Sequence, residues 1–409
     1  GDGTTMPAAF SSPQVPAMIH GTEVELHKGG QSDVKKVDDE SSLHEFSKFL
    51  DWSTSHNPDG VSLVHGVYNQ GSCGSCWAFA ATGSVEASAA RNAARDYFVN
   101  GLGEINEKIK ASNNYYDDDD YLDRHGYYTM LEDLADESRR IESETFEELN
   151  LSIQELLDCD TSVDEGCIGG NPSLAFYYIH KYGLVPWKEY PYVGYGGMEV
   201  SETSLLGMVE TPATESSKFP LERSSLSSGA GRRDKYTPTC QKDKVENPIA
   251  TVESWGLLHK NHEDLIAYAI LYVGPVAVGI NCADPLFISY GGGIFDSHDC
   301  EQTANHALLI VGYGEENTTN EKGEVEIVRY WIARNSWGES WGEKGFIRIK
   351  RGSGEKGKPG VCGIARSPSV ALGGTYRGNR TDPLANVSTK AIARYRKDKY
   401  VTSYDTSAS

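Results

Sequence analysis

Basic residues are scarce. Lysine and arginine number 38 against 59 aspartates and glutamates, a formal charge of −21. Such a surface repels a polyphosphate backbone and argues against nucleic acid as a partner. Long apolar runs are also missing. The longest, residues 265–280, is broken by Gly274-Pro275. It is too short to span a bilayer, so no transmembrane segment is expected, and it reads as a helix followed by a buried strand. No secretory leader is visible and the chain opens on Gly1 rather than Met, so a processed or trimmed product is expected. The one C-x-x-C, at Cys73 and Cys76, lacks the second close Cys or His pair of a zinc site. It also lacks the βαβ surroundings of a redox motif.

What is present starts with Gln70-Gly71-Ser72-Cys73-Gly74-Ser75-Cys76-Trp77-Ala78-Phe79. Small residues form a turn, and an apolar run follows it. A thiol at Cys76, where that turn opens a helix, meets unpaired N–H groups and the positive dipole end, both of which favour a thiolate. Such a nucleophile needs a base, and the base needs an orienting group. Asn305-His306-Ala307-Leu308-Leu309-Ile310-Val311-Gly312-Tyr313-Gly314 reads as a strand with His306 at its mouth. Tyr330-Trp331-Ile332-Ala333-Arg334-Asn335-Ser336-Trp337-Gly338 follows, then Trp341-Gly342 and the strand Gly345-Phe346-Ile347-Arg348-Ile349-Lys350. Asn335 can accept from one ring nitrogen of His306 and leave the other to Cys76.

These segments, in the order Cys, His, Asn, resemble the active-site motifs of papain-like cysteine peptidases, the plant papains and animal cathepsins. The resemblance implies an α+β fold of two lobes, helical on the N-terminal side and a β-barrel on the C-terminal side, with the active-site cleft between them. It implies peptide-bond hydrolysis through a thioester acyl-enzyme, with no metal and no organic cofactor. Cys76 would attack the scissile carbonyl, and His306 would pair with the thiolate and protonate the leaving amine. Asn335 would hold the ring, with Trp337 shielding that hydrogen bond. Gln70 and the backbone N–H of Cys76 would bind the oxyanion. The family's His-paired thiol ionises in mild acid, and the same is implied for Cys76.

Eight cysteines occur. With Cys76 as nucleophile, seven remain, so at least one more is free or pairs between chains. The family pattern implies Cys73 with Cys167, Cys159 with Cys240 and Cys300 with Cys362, leaving Cys282 as a free, buried thiol. Three disulfides imply an oxidising route, by secretion or through the endomembrane system to a lysosome or vacuole. Sequons at Asn150, Asn317, Asn379 and Asn386 fit that route.

The resemblance runs over about residues 46–373, with Leu50-Asp51-Trp52 like the usual start of a mature enzyme. Residues 1–45 are expected to be a propeptide remnant or N-terminal extension. The Ala-rich stretch 77–95 reads as a long central helix. Three insertions depart from the family. The first, about 97–149, holds Asp117-Asp118-Asp119-Asp120 and a Glu-rich stretch in which Met130, Leu131, Leu134, Ile141, Phe146 and Leu149 have helical spacing. A solvated acidic loop is the expectation there, a docking element the alternative. It lacks the Gly and terminal Glu of a calcium loop. The second, 193–239, reads as a flexible loop with a candidate proteolytic nick at Arg232-Arg233. The third, 315–328, reads as a lengthened hairpin. Residues 374–409, a C-terminal extension, reverse the charge sign of the rest.

By resemblance Gly169-Gly170 is the backbone edge that pairs with an extended substrate, where glycine permits close approach. Gly74, Asn305 and Trp337 also fall on the substrate path. Asn171, Pro172, Val276, Gly279, Ala304 and Ser367 should line the second subsite, which then favours a bulky apolar side chain over arginine. The expected partners are a peptide or protein substrate and a propeptide or cystatin-like inhibitor. The rival readings are a catalytically silent papain-like subunit that binds rather than cleaves, and an exopeptidase restricted by the 193–239 insertion.

Overall fold

The structure, a computed structural model, describes residues 48–113, 124–194, 239–297, 299–319, 323–352 and 358–377, with backbone alone for residues 108–113 and 124–129. The 1–45 extension, the Asp117–Asp120 run, most of the 193–239 insertion with Arg232-Arg233, the tail beyond residue 377, Asn379 and Asn386 lie outside the described residues.

One long helix, α1 (Cys76–Asn113), organises the chain. Its N-terminal half is alanine-rich, and Ala78, Ala80, Ala81, Ala87, Ala89 and Ala90 are buried. Short side chains let the sheet approach closely. A Cβ on Gly374 would stand 2.4 Å from the backbone nitrogen of Ala89, so only glycine fits there. Helices α2 (Arg124–Glu148), α3 (Ile153–Cys159) and α4 (Pro172–Tyr182) complete the helical lobe. Ser152 caps α3 through a bond from Glu155 N, and Asn171 caps α4 through one from Ser173 N.

The other lobe is a sheet of β1 (Leu50–Asp51), β2 (Ala250–Leu257), β3 (Val276–Ile280), β4 (Ile294–Phe295), β5 (His306–Thr319), β6 (Val325–Arg334), β7 (Phe346–Lys350) and β8 (Ser369–Tyr376). Helices α5 (Glu263–Tyr272) and α6 (Pro285–Ile288) flank it. The order is β2-β8-β3-β5-β6-β7-β4, with β1 beside β5. The expected barrel is thus an open path that ends on β2 and β4. The apolar run 265–280 divides into α5 and β3 at Gly274-Pro275. Strand β8 pairs with β2 as far as Tyr376↔Ala250, so the sheet continues three residues past the expected boundary at 373.

The first insertion differs from the expected solvated loop. Helix α1 runs to Asn113, and α2 folds back along it. Leu134 packs on Gly101 and Ser138 Oγ donates to the Ala94 carbonyl at 2.9 Å, an antiparallel pairing. Tyr97, Ile105, Met130, Leu134 and Ile141 form a small core of their own. Burial of this apolar stripe outweighs the high charge. Arg139 pairs with Asp136, and Arg140 with Glu137 and Glu144, one turn away along the same helix.

The third insertion is a long hairpin in which β5 and β6 pair from Glu315↔Arg329 to Thr319↔Val325. Disulfides join Cys73 to Cys167, Cys159 to Cys240 and Cys300 to Cys362, while Cys76 and Cys282 are free. Cys282 is half-buried rather than buried.

Candidate active site

Cys76 is the first residue of α1, and the Ser75 carbonyl already accepts from Ala78 N and Phe79 N. The backbone N–H groups of Ala307, Trp77 and Cys76 itself point at the sulfur. Ala307 follows His306, so the mouth of β5 is brought to the start of α1.

His306 is 7 % exposed, and its Nε2 lies 2.8 Å from Asn335 Oδ1. The same Oδ1 accepts from Ser336 N at 2.8 Å, so it is an oxygen and His306 Nε2 carries the proton. Nδ1 is then the basic nitrogen of the neutral ring. Trp337 covers the imidazole, with ring centroids 4.8 Å apart. Phe287 and Trp341 meet Trp337 edge-on at 5.6 and 5.2 Å.

Burial acts against the expected ion pair. It pushes the Cys76 thiol up, partly offset by the three N–H groups. It lowers the His306 ring to about 4, partly offset by Asn335. A thiolate–imidazolium pair here therefore draws on the mutual attraction of the two groups and on the helix N-terminus.

Gln70 is clamped at both ends of its amide. Nε2 donates to the Cys73 carbonyl at 2.7 Å, and Oε1 accepts from Ser336 Oγ at 2.5 Å. One Nε2 hydrogen is left for an oxyanion. Gly74 N donates to the Cys167 carbonyl at 2.9 Å, and a Cβ on Gly74 would stand 2.8 Å from that oxygen. With the Cys73–Cys167 disulfide, this ties the nucleophile turn to the loop carrying Gly169 and Gly170.

The subsite residues divide between the lobes. Asn171 and Pro172 open α4. Gly279, Ala304 and Ser367 converge, since a Cβ on Gly279 would lie 2.9 Å from Ala304 Cβ and 3.1 Å from Ser367 Oγ. Asn305 Oδ1 accepts from Cys282 N at 2.9 Å beside them. Val276 does not join this group. It is fully buried, pairs with Ile310, and lies three residues from Gly279, which sends its side chain to the opposite face. Of the sequons, Asn150 is half-buried and its Oδ1 accepts from Tyr68 at 3.1 Å, while Asn317 is exposed on β5.

Three residues to which the sequence assigned no role matter here. Tyr192 Oη donates to the Gln70 carbonyl at 2.8 Å, so Ser75 Oγ, at 2.8 Å from the same hydroxyl, is the donor to Tyr192. Ser336 holds Gln70. Arg334, 5 % exposed, donates to the His65 carbonyl at 3.0 Å and to the Phe79 carbonyl at 3.4 Å, and so locks the residue before Asn335 against α1. Gly83 makes room for it, because a Cβ there would lie 2.5 Å from the guanidinium. The Arg334-Asn335-Ser336 string was legible, but not what it touches. Among the described residues no cluster of three or more His, Cys, Asp or Glu side chains is arranged to hold a metal. No helix of the described residues is long and apolar enough to cross a membrane.

The family described as papain family cysteine protease matches residues 46–99 and 134–372. The break between the two matched segments falls within the α1–α2 hairpin. Thiol protease SEN102 of Hemerocallis is 28 % identical over 309 residues, covering 76 % of this chain and 57 % of that protein. Cysteine proteinase RD21A of Arabidopsis thaliana is 28 % identical over 329 residues, covering 80 % and 47 %. The chain thus spans about half the length of these two relatives. Among solved structures, the proform of the ragweed pollen allergen Amb a 11 cysteine protease matches with a TM-score of 0.47 at 27 % identity, over 80 % of this chain and 66 % of that one.

Proposed function

The chain belongs to the papain family of cysteine proteases, and on that premise we propose that it is a cysteine endopeptidase that cleaves proteins at the junction of its two lobes. The observation that carries this is the arrangement around Asn335. Its Oδ1 holds His306 Nε2 at 2.8 Å, and the residue after that histidine offers its N–H to the Cys76 sulfur. Cys76 attacks the scissile carbonyl carbon, and the C–N bond breaks as His306 Nδ1–H protonates the departing amine. The thioester is then cleaved by water, whose proton passes to His306 Nδ1. The second Gln70 Nε2 hydrogen and the Cys76 N–H are the donors assigned to the oxyanion, the latter turning from the sulfur as the bond forms.

Gly169 and Gly170 offer an extended peptide a backbone edge. Gly279, Ala304 and Ser367 bring no charge to their pocket, which favours an apolar side chain two residues before the cut. The domain reading follows the same lines: a catalytic unit of about 46–376, flanked by an N-terminal and a C-terminal extension. Three disulfides suit an oxidising compartment, so the secreted or vacuolar route is the proposed location, with a propeptide as the natural inhibitor.

The test is covalent labelling with a cysteine-directed epoxide alongside hydrolysis of a fluorogenic peptide. Cys76→Ala should abolish labelling and lower kcat/KM by at least about 1,000-fold. Retention of hydrolysis in that variant would overturn the assignment, and absence of both labelling and hydrolysis in the unaltered protein would favour the silent-subunit reading.

A further inference from the structure

Beneath the edge at residues 169–171 lie two aspartates that the reaction itself does not use. Asp160, the C-cap of α3, is 1 % exposed, and Asp164 is 3 % exposed. Asp164 Oδ1 accepts from Asn171 N at 2.7 Å. It sits 2.6 Å from where a Cβ on Gly170 would stand, with the Trp77 ring at the same distance. Glu165 N donates to the Gly169 carbonyl at 2.9 Å and closes the loop. Asp160 Oδ2 and Asp164 Oδ2 are buried with no hydrogen-bond donor among the described residues. The charge of Asp164 bears on Asp160, so the two carboxyls are close neighbours.

Two carboxylates in one buried place cannot both ionise cheaply. One shared proton removes the repulsion and supplies the missing donor. The other groups facing the pair are the Asn171 N–H, Tyr178 from α4 and, through the Tyr178 hydroxyl bond of 3.2 Å, Glu155 from α3. None of these is a cation.

We propose that Asp160 and Asp164, holding one proton between them, position the 169–171 edge for pairing with an extended peptide, and that loss of this proton weakens peptide binding rather than the chemical step. The proposal rests on the reading of that edge as the substrate-pairing edge. With the proton in place, Asp164 Oδ1 holds the Asn171 N–H, and so the start of α4 and the glycine pair before it. Without it, two adjacent buried charges push Asp164 off that N–H. Burial and mutual repulsion raise the pair above the ordinary aspartate range, so the proton is present in mild acid and is lost as the pH rises. In D164N the amide oxygen still accepts from Asn171 N–H, and the amide NH2 supplies permanently what the proton supplied.

The experiment measures the Kd of a fluorescent extended peptide for Cys76→Ala protein, which needs no turnover, and KM and kcat for the unaltered enzyme. Between about pH 5 and about pH 8, Kd and KM should weaken by about five- to tenfold, the worth of a lost backbone hydrogen bond, with kcat outside this effect. In C76A/D164N the Kd should stay flat and tight over that range. Should D164N fail to fold, D160N fixes the same proton from the other side and carries the same expectation. A Kd that does not change with pH, a pH response that survives in both variants, or no peptide binding at either pH overturns the proposal. Peptide binding with the expected pH response, but no hydrolysis by the unaltered protein, overturns the peptidase reading and leaves this one standing.

Discussion

Asn335 shows how much one amide does. Its oxygen receives the His306 Nε2 proton and the Ser336 N–H, and so decides which ring nitrogen is basic. Its Nδ2 is buried without a partner among the described residues. Asn335→Ala should leave the imidazole free to turn, lowering kcat/KM by about 100-fold, the usual cost of misplacing a reacting group. Epoxide labelling of Cys76 should slow in parallel, and a variant with unchanged kcat/KM would remove Asn335 from the mechanism. At this scale much of the site was legible. A turn of small residues ahead of an Ala-rich helix, and a histidine opening a β-branched strand, are local signals. Tyr192, Ser336 and the Asp160–Asp164 pair were not, because what they do depends on partners across the fold.

At the scale of elements, the α1–α2 hairpin is the clearest departure from the sequence reading. Its acidic composition argued for solvent, yet Leu134 is fully buried against Gly101, and Glu142 is 3 % exposed beside Asp59. Phe146 stacks on His65 at 4.1 Å, and the His65 carbonyl in turn holds Arg334. The helical spacing of Met130, Leu134 and Ile141 was the correct signal, and mean charge the misleading one, because one apolar stripe is enough to dock a helix. Leu134→Ala should cost about 2–4 kcal/mol of hairpin stability through the cavity it leaves. Hydrogen exchange would read this as faster exchange in α1 beyond residue 97 and in α2, with β5 and β6 unchanged. Uniform acceleration across the chain would mean that the hairpin is not a separable unit.

For the whole molecule, the buried carboxyls set a direction. Burial pushes Glu86 up to about 8 and Glu155 to about 7. Glu142 is raised by burial and by the neighbouring Asp59. The native state therefore keeps protons that the unfolded chain, with ordinary carboxyls near about pH 4, has already released. Stability is then greatest in mild acid and falls as the pH rises through these raised values, the reverse of a salt-bridged carboxylate. The Tm should drop between about pH 5 and about pH 8.5, and Glu86→Gln should reduce the slope. A Tm that rises over that interval would contradict this account.

The sequence by itself determined the family and wrote out the residues of the proposed chemistry. The Cys76 turn, the His306 strand and the Asn335 string are each written in consecutive residues, and turn, helix-start and strand signals act over a few positions. Tertiary structure decided what surrounds them. It tied Tyr192 to Ser75 across 117 positions, turned Val276 into the core while Gly279 faces Ala304 and Ser367, and docked an acidic helix on a neutral stripe. It also buried two aspartates, Asp160 and Asp164, beneath residues 169–171. Burial and electric field are sums over neighbours distant in the chain, and no local string contains them.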